Sequence, residues 1–205
     1  MGTDMKSTRA YTMRVRADRV QQTRERILDA VVSLAGDRPL ARCTLPAIAE
    51  RAGVSVQTVL RAYGTRDDLF AAARERATAH VLAERRIDPD DVPATVAALV
   101  DHYEARGDGV LLLVGQERWE PLAAEITAGG RRLHREWVAR TFAHTLGRLP
   151  VDRRERAVDL LVAATDLSVW KLWRRDAGRT RDETLERMLA LVASVTRRLD
   201  PDTAH

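Results

Sequence analysis

The sequence has little of several residue types, and each shortage excludes a class of protein. One cysteine, Cys43, stands in 205 residues, so no intramolecular disulfide can form and nothing requires an oxidising compartment. Purely apolar runs such as residues 110–114 are far below the roughly 20 residues needed to cross a bilayer. No signal-peptide pattern opens the chain. We therefore predict a cytoplasmic protein without a membrane partner.

Aromatic residues are also scarce, and clusters of β-branched and aromatic residues are nearly absent. Aromatics make up 4% of the chain, whereas 45% of the residues are hydrophobic and 31% are charged. This composition is that of a globular protein, and the abundance of Ala, Leu, Arg and Glu favours helix over strand. The sequence predicts an all-α fold.

The usual patterns of catalytic sites are missing. No histidine among His80, His102, His134 and His144 has a glutamate three residues before it, so the helical di-metal pattern is absent. Cys-His spacing for zinc is absent too, as is a glycine loop for phosphate. We expect no metal, no cofactor and no enzymatic activity, although an enzyme on a helical bundle is the main rival interpretation of the second domain.

Charge is present and is unevenly distributed. The chain carries a formal net charge of +4, and residues 1–26 alone account for a formal +4. Residues 1–17 are polar, basic and without helical periodicity, which predicts a flexible arm. A basic segment permits contact with a polyanion such as DNA, and Arg14, Arg16 and Arg19 are its candidate contacts. A solvated charged tail without a partner is the other reading.

Residues 18–72 have the pattern of a helix-turn-helix domain. Apolar residues recur at helical spacing from Asp18 to a glycine at position 36. Thr44 then caps a short helix that ends near Ala52, and Ser55 caps a third helix after a glycine turn. Thr65 and Asp68 form a capping pair that starts a fourth helix, which we expect to continue to about residue 86.

A break at residues 88–93 separates a second helical domain, residues 92–200. Capping pairs and glycines there predict helices near residues 92–105, 110–117, 120–146, 153–176 and 181–199. Glycine at position 107 is predicted to end the first of these.

The third helix has the chemistry of a DNA-reading element: Val54, Val59 and Leu60 are predicted to form an inner apolar face, which leaves the polar residues on the outer face. Gln57 can bond adenine and Arg61 can bond guanine in the major groove, with Val56 and Thr58 beside them. Thr44 and Thr65 lie at helix N-termini, where hydroxyl and N–H groups attract phosphates. Arg66 adds a positive charge next to Thr65.

The stretch "TLPAIAERAGVSVQTVLRAYGTRDDLFAA", residues 44–72, resembles the N-terminal domain of tetracycline-repressor-like (TetR) regulators. The resemblance implies that Thr44 and Arg66 contact phosphates and that Val56, Gln57 and Thr58 face bases. Two positions depart from the family pattern. Leu60 stands where a phosphate-contacting tyrosine is usual, and Ala62 where histidine or tyrosine is common. The resemblance also implies that Tyr63 packs within the domain and keeps a free hydroxyl at the edge of the residues that contact DNA. Ser55 is among those DNA-contacting residues.

The same resemblance implies partners for the second domain. The last two long helices, near residues 153–176 and 181–199, would form a homodimer that binds a palindromic double-stranded DNA operator. A pocket would hold a small, fairly hydrophobic effector that controls repression. Its candidate lining is Tyr103, Trp119, His134, Trp137, Asp166, Trp170 and Trp173.

Two other functions fit the same sequence. A DNA-binding regulator without a ligand would have the same N-terminal domain, and a helical interaction protein would use the dimer bundle alone. Cys43, directly before the second helix, is interpreted either as a thiol switch or as a small buried apolar residue.

Overall fold

The computed structural model describes the backbone of residues 4–199 and the side chains of residues 15–199. Across these residues the regular structure is helical, without strands, as the composition predicted. The chain divides into two compact units, Met1–Thr78 and Ala79–His205. Within the described part, no helix has the length and apolarity that a membrane span requires.

The first unit is built from α1 and three shorter helices. α1 packs on α2, and α2 packs on α3. Ile27, Val31, Leu34, Ile48 and Leu69 are fully buried in its core. The four helices are α1 (Asp4–Asp37), α2 (Leu45–Ala52), α3 (Val56–Tyr63) and α4 (Arg66–Glu84). A short 3-10 turn, Leu40–Arg42, leads into α2.

α1 is longer than the sequence indicated. It begins at Asp4, whereas the onset of apolar periodicity predicted a start at Asp18. Periodicity detects only the part of a helix that packs, and residues 16–22 of α1 expose their side chains to solvent. The basic residues from position 4 onward therefore lie on a helix and not on an irregular arm, and residues 1–3 lie outside the described part of the chain.

Up to residue 199, where the described part of the chain ends, the second unit has six helices and a π-helical turn, Leu172–Asp176. α5 packs against α6, α9 and α10, and α8 packs against α6 and α10. Leu99, Phe142, Leu161, Trp170 and Met188 are among the side chains that fill its core. The helices are α5 (Val92–Val114), α6 (Pro121–Thr141), α7 (Ala143–Gly147), α8 (Val151–Thr165), α9 (Leu167–Lys171) and α10 (Arg181–Leu199).

α5 continues through Gly107, which the sequence predicted to be a helix end. A Cβ atom at this position would lie 2.6 Å from Cζ3 and 2.7 Å from Cη2 of Trp170. The glycine therefore permits close approach of the indole to α5, and it has no capping role. Tertiary packing overrides the low helix propensity of glycine here.

The predicted helix 153–176 is interrupted at Asp166. α8 ends at Thr165, and the Asp166 side chain accepts a hydrogen bond from the Ser168 N–H at 2.8 Å, which caps α9. The carbonyl of Thr165 instead accepts the hydroxyl of Tyr103 at 3.0 Å. One of the two helices predicted for dimerisation is therefore two short helices followed by the π-helical turn.

Candidate nucleic-acid interface

The turn between α2 and α3 is fixed by its caps. The Thr44 hydroxyl accepts the Ala47 N–H at the start of α2. Gly53 ends that helix in the left-handed region, at a φ of 65° that favours glycine. Ser55 Oγ then accepts the Thr58 N–H at 3.1 Å and starts α3. These local bonds set the direction of α3 against α2.

α3 presents one polar face to solvent. Gln57 and Arg61 are exposed on it, and together with Val56 and Leu60 they line a shallow surface groove. Neither Gln57 nor Arg61 donates its side chain within the described part of the chain, so amide and guanidinium donors face outward. This is the donor arrangement that a major groove can accept.

Leu60 differs from its predicted place. The sequence grouped it with the inner apolar residues Val54 and Val59, but Leu60 is 40% exposed, whereas Val59 is buried. At helical spacing Leu60 lies next to Val56 and Gln57. An apolar side chain on this face can meet a thymine methyl group but cannot bond a phosphate.

Thr58 and Ser55 are engaged with each other. Their hydroxyl oxygens are 2.9 Å apart, and Thr58 is half-buried. The Thr58 methyl therefore remains available to a base, while its hydroxyl supports the cap.

Tyr63 faces α1. Its hydroxyl was expected to be free, yet it donates to the Arg24 carbonyl at 2.9 Å. The Arg24 guanidinium lies 4.5 Å from the centre of the Tyr63 ring and donates to the carbonyl of Ala62. Burial raises the pKa of Tyr63. These contacts connect the last turn of α3 to α1, so the phenol positions the helix.

Thr65 and Arg66 are both engaged within the protein. The Thr65 hydroxyl donates to Asp68 Oδ2 at 2.7 Å and accepts the Asp68 N–H, which is a complete capping pair. These bonds lower the pKa of Asp68, so its carboxylate stays ionised. Arg66 lies 4.4 Å from the centre of the Phe70 ring. Arg66 is exposed and can reach a phosphate, whereas a phosphate at Thr65 would lie beside a carboxylate.

The structure describes the side chains of two of the three basic candidates on α1. Arg16 and Arg19 are exposed on the helix, and Arg19 lines a surface groove with Gln22 and Arg26. The side chain of Arg14 lies outside the described residues.

Cys43 is fully buried, and its burial raises the pKa of the thiol, which fits a small apolar residue better than a reactive one.

Four of the predicted effector-binding residues lie together in the second unit. His134 Nε2 lies 3.1 Å from Thr165 Oγ1, and its ring stacks on Trp137 at a centroid distance of 5.7 Å. Tyr103 bonds the carbonyl of the same Thr165, and its ring centre is 6.0 Å from that of Trp170. All four candidates are buried. We call Tyr103, His134, Trp137, Trp170 and Thr165 the aromatic cluster.

The other three candidates do not join this cluster. Trp119 is 71% exposed in the segment between α5 and α6. Asp166 caps α9, and Trp173 packs against the edge of the core. Trp170 itself donates its Nε1–H to Glu104 at 2.8 Å and has Arg175 4.5 Å from its ring centre.

The protonation of His134 follows from its partners. Thr165 Oγ1 donates its hydrogen to the Leu161 carbonyl at 2.7 Å, so it accepts a hydrogen from His134 Nε2. Burial, followed by the charge of Arg85, lowers the pKa of His134 to about 4. The imidazole is therefore neutral at pH 7, and its Nδ1 atom is a hydrogen-bond acceptor.

Sequence reasoning missed the charged residues beside this cluster. Glu84 forms an ion pair with Arg106 and accepts a hydrogen bond from His102 Nδ1 at 2.8 Å. These bonds lower the pKa of Glu84 to about 2. Arg85, the next residue, has its Cζ atom 5.4 Å from the centre of the Tyr103 ring. Periodicity could not have indicated Arg85, because it follows the last residue of α4.

Comparisons with known proteins agree with this geometry. Residues 27–73 match the model of the tetR family of bacterial regulatory proteins, a range that includes α2, α3 and their turn. Over 93 residues the chain is 27% identical to the HTH-type transcriptional repressor SCO4008 of Streptomyces coelicolor. That alignment covers 45% of this chain and 48% of the relative, so the chain spans about half the length of the curated relative it matches.

Solved structures extend the likeness to the whole fold. A transcriptional regulator from Rhodococcus sp. Rha1 matches with a TM-score of 0.63 at 21% identity, covering 85% of this chain and 96% of that one. A TetR-like transcriptional regulator from Rhodococcus sp. RHA1 matches with a TM-score of 0.62 at 20% identity, covering 86% and 95% of the two chains. At these identities the likeness is one of fold.

Proposed function

We propose that the chain is a transcriptional regulator of the tetR family of bacterial regulatory proteins, whose model matches residues 27–73 of its N-terminal domain. In this proposal a homodimer binds a palindromic DNA operator, represses transcription and is released by a small, fairly hydrophobic effector. The observation that supports DNA reading best is the exposed face of α3, where Gln57 and Arg61 stand on a capped helix.

Each side chain on that face has a role in the proposal. Gln57 bonds adenine and Arg61 bonds guanine, while Val56 and Leu60 meet thymine methyl groups. Thr44 and Arg66 contact phosphates and set the register of the helix in the groove. With Leu60 unable to bond a phosphate, Arg16 and Arg19 on α1 supply further backbone contacts.

The dimer is supported by apolar side chains that remain on the surface of the second unit. Leu160 on α8 is 43% exposed and Leu191 on α10 is 39% exposed. A second copy of the chain would cover them and place two α3 helices about 34 Å apart, one turn of DNA. Repression is proposed because the SCO4008 relative is a repressor by name and because occlusion of a promoter requires only binding.

The experiment that tests DNA reading is a selection of bound sequences from random duplex DNA. We expect the wild-type protein to select a palindromic motif. Gln57→Ala and Arg61→Ala should each lose the base preference at one position of the half-site. Each lost base contact should reduce discrimination by about 1–3 kcal/mol. Arg118→Ala, an exposed arginine of the second unit, is the control and should leave the motif unchanged. Failure of the wild type to enrich any motif would reject the proposal.

The dimer has its own test. Light scattering with size exclusion should give a dimer at micromolar concentration, and Leu160→Glu with Leu191→Glu should shift it toward monomer. Leu82→Glu replaces another exposed leucine, on α4, and should leave the dimer intact. A monomeric wild type would contradict the palindromic operator as well.

A further inference from the structure

Arg85 is a half-buried arginine that contacts the Tyr103 ring but, within the described part of the chain, has no carboxylate of its own. Its Nε atom is buried without a hydrogen bond, and the described residues give its side chain no ion pair. The adjacent carboxylate, Glu84, is already bound by Arg106 through three hydrogen bonds and by His102. Among Glu84, Arg85 and Arg106 one positive charge is left over, and the Arg85 Cζ atom lies 5.4 Å from the centre of the Tyr103 ring. The Asp166 carboxylate acts on Tyr103 in the opposite sense to Arg85.

A second set of unpartnered polar atoms lies on α6. His134 Nδ1, Trp137 Nε1 and Thr141 Oγ1 are buried and have no hydrogen-bond partner, and all three residues are more than nine-tenths buried. Their spacing of three and four residues places them on one face of the helix. Buried polar groups are normally paired, since an unpaired one costs roughly 1–3 kcal/mol.

Direct contacts connect Arg85 to this face. Arg85 lies over Tyr103, Tyr103 bonds the Thr165 carbonyl, and the Thr165 hydroxyl bonds His134. His134 then stacks on Trp137. Arg85 and Trp137 each offer an N–H donor, the Thr141 hydroxyl can donate or accept, and aromatic faces surround them.

We propose that the effector of this regulator is an aromatic carboxylate, whose anionic group pairs with Arg85 and whose ring lies against the aromatic cluster on the α6 face. The proposal rests on the proposed function, because it names the chemical class of that effector. Arginine suits a planar carboxylate through parallel N–H donors. The Trp137 Nε1–H and Thr141 hydroxyl can bond further ligand oxygens.

Matched pairs of probes separate charge from shape. Isothermal titration calorimetry would compare benzoate with benzamide and 1-naphthoate with 1-naphthamide. We expect at least one acid to bind about tenfold or more tightly than its amide, since a hydrogen bond to a charged group contributes more than a neutral one. Arg85→Gln should lose that preference, and Arg86→Gln, which removes an exposed neighbouring charge, should keep it. Equal binding of acid and amide, or no binding of either acid at millimolar concentration, would overturn the proposal.

A second measurement does not depend on the probe. Without ligand, Arg85→Met should unfold at a temperature equal to or above that of the wild type, because an apolar side chain replaces a half-buried guanidinium whose Nε atom has no hydrogen-bond partner. A variant that unfolds several degrees lower would show that Arg85 only supports the fold, and it would reject the ligand role.

DNA binding distinguishes failure of this proposal from failure of the proposed function. The same samples would be titrated with the selected operator duplex in the absence of acid. Operator binding without any acid preference would reject the carboxylate effector and leave the regulator intact. If the wild-type protein does not bind the operator duplex, the proposed function as a DNA-binding regulator would be rejected.

Discussion

Replacing Gly107 by alanine tests the close contact between α5 and Trp170. The added methyl group would lie 2.6 Å from the indole Cζ3 atom, closer than carbon atoms approach without displacement. The indole cannot easily move, because its Nε1–H is bonded to Glu104 and Arg175 lies over its ring. We therefore expect Gly107→Ala to destabilise the second unit.

Gly130→Ala is the matched control. Gly130 lies within α6, and a methyl group there would meet nothing within 4 Å. Both substitutions gain helix propensity, up to about 1 kcal/mol, so this gain cancels in the comparison. The difference between the two variants is then the overpacking cost at Trp170, about 1–3 kcal/mol.

The assay is thermal and urea unfolding of both variants beside the wild type. Gly130→Ala should match or exceed the wild-type midpoint, and Gly107→Ala should lie below Gly130→Ala by at least about 2 °C for a chain of this size. Equal midpoints for the two variants would refute the reasoning, since the indole would then have room to move.

Three further predictions concern other contacts. Tyr63→Phe removes the bond to the Arg24 carbonyl and should cost about 1 kcal/mol in urea unfolding, without changing the selected DNA motif; a changed motif would make the phenol a reader of bases. Joint Arg16→Gln and Arg19→Gln should reduce the salt dependence of operator binding by a slope of roughly 1 for each arginine in each subunit, and an unchanged slope would remove α1 from the interface. Burial lowers the pKa of His134 to about 4, against 6.5 in the unfolded chain, so the unfolded state takes up a proton first and this residue alone should lower stability by roughly 3 kcal/mol as pH drops from 6.5 to 4. The pKa of His102 is lowered to about 4 as well, so it should add a fall of similar size. His134→Gln should make that pH profile of urea unfolding about half as steep, since His102 remains, and an equally steep profile in the variant would contradict the assignment.

The helix-turn-helix could be predicted because its signals are local. Thr44 and Ser55 each cap the helix that immediately follows, and Thr65 pairs with Asp68 three residues away. Such bonds depend on the neighbouring sequence and on little else. The exposed side of α3 followed from helical spacing, except at Leu60, whose hydrophobicity alone suggested burial.

The second unit was harder to predict because distant contacts decide it. From the local sequence Gly107 suggests a helix end, because its actual role depends on contact with Trp170, 63 positions away. The break at Asp166 depends on Tyr103, which bonds the freed Thr165 carbonyl from another helix. The role of Arg85 depends on side chains from α5 and α6 that no pattern near position 85 could reveal.

The four tryptophans differ so much in their surroundings that they form a set of optical reporters within the chain. Trp119 is largely in water, whereas Trp137 and Trp170 are buried and Trp173 is half-buried. Aqueous iodide would quench the Trp119 emission first and leave the shorter-wavelength emission of the buried indoles. A Trp119→Phe chain would therefore fluoresce mainly from the interior of the second unit, so a change in that interior could be followed without an attached dye.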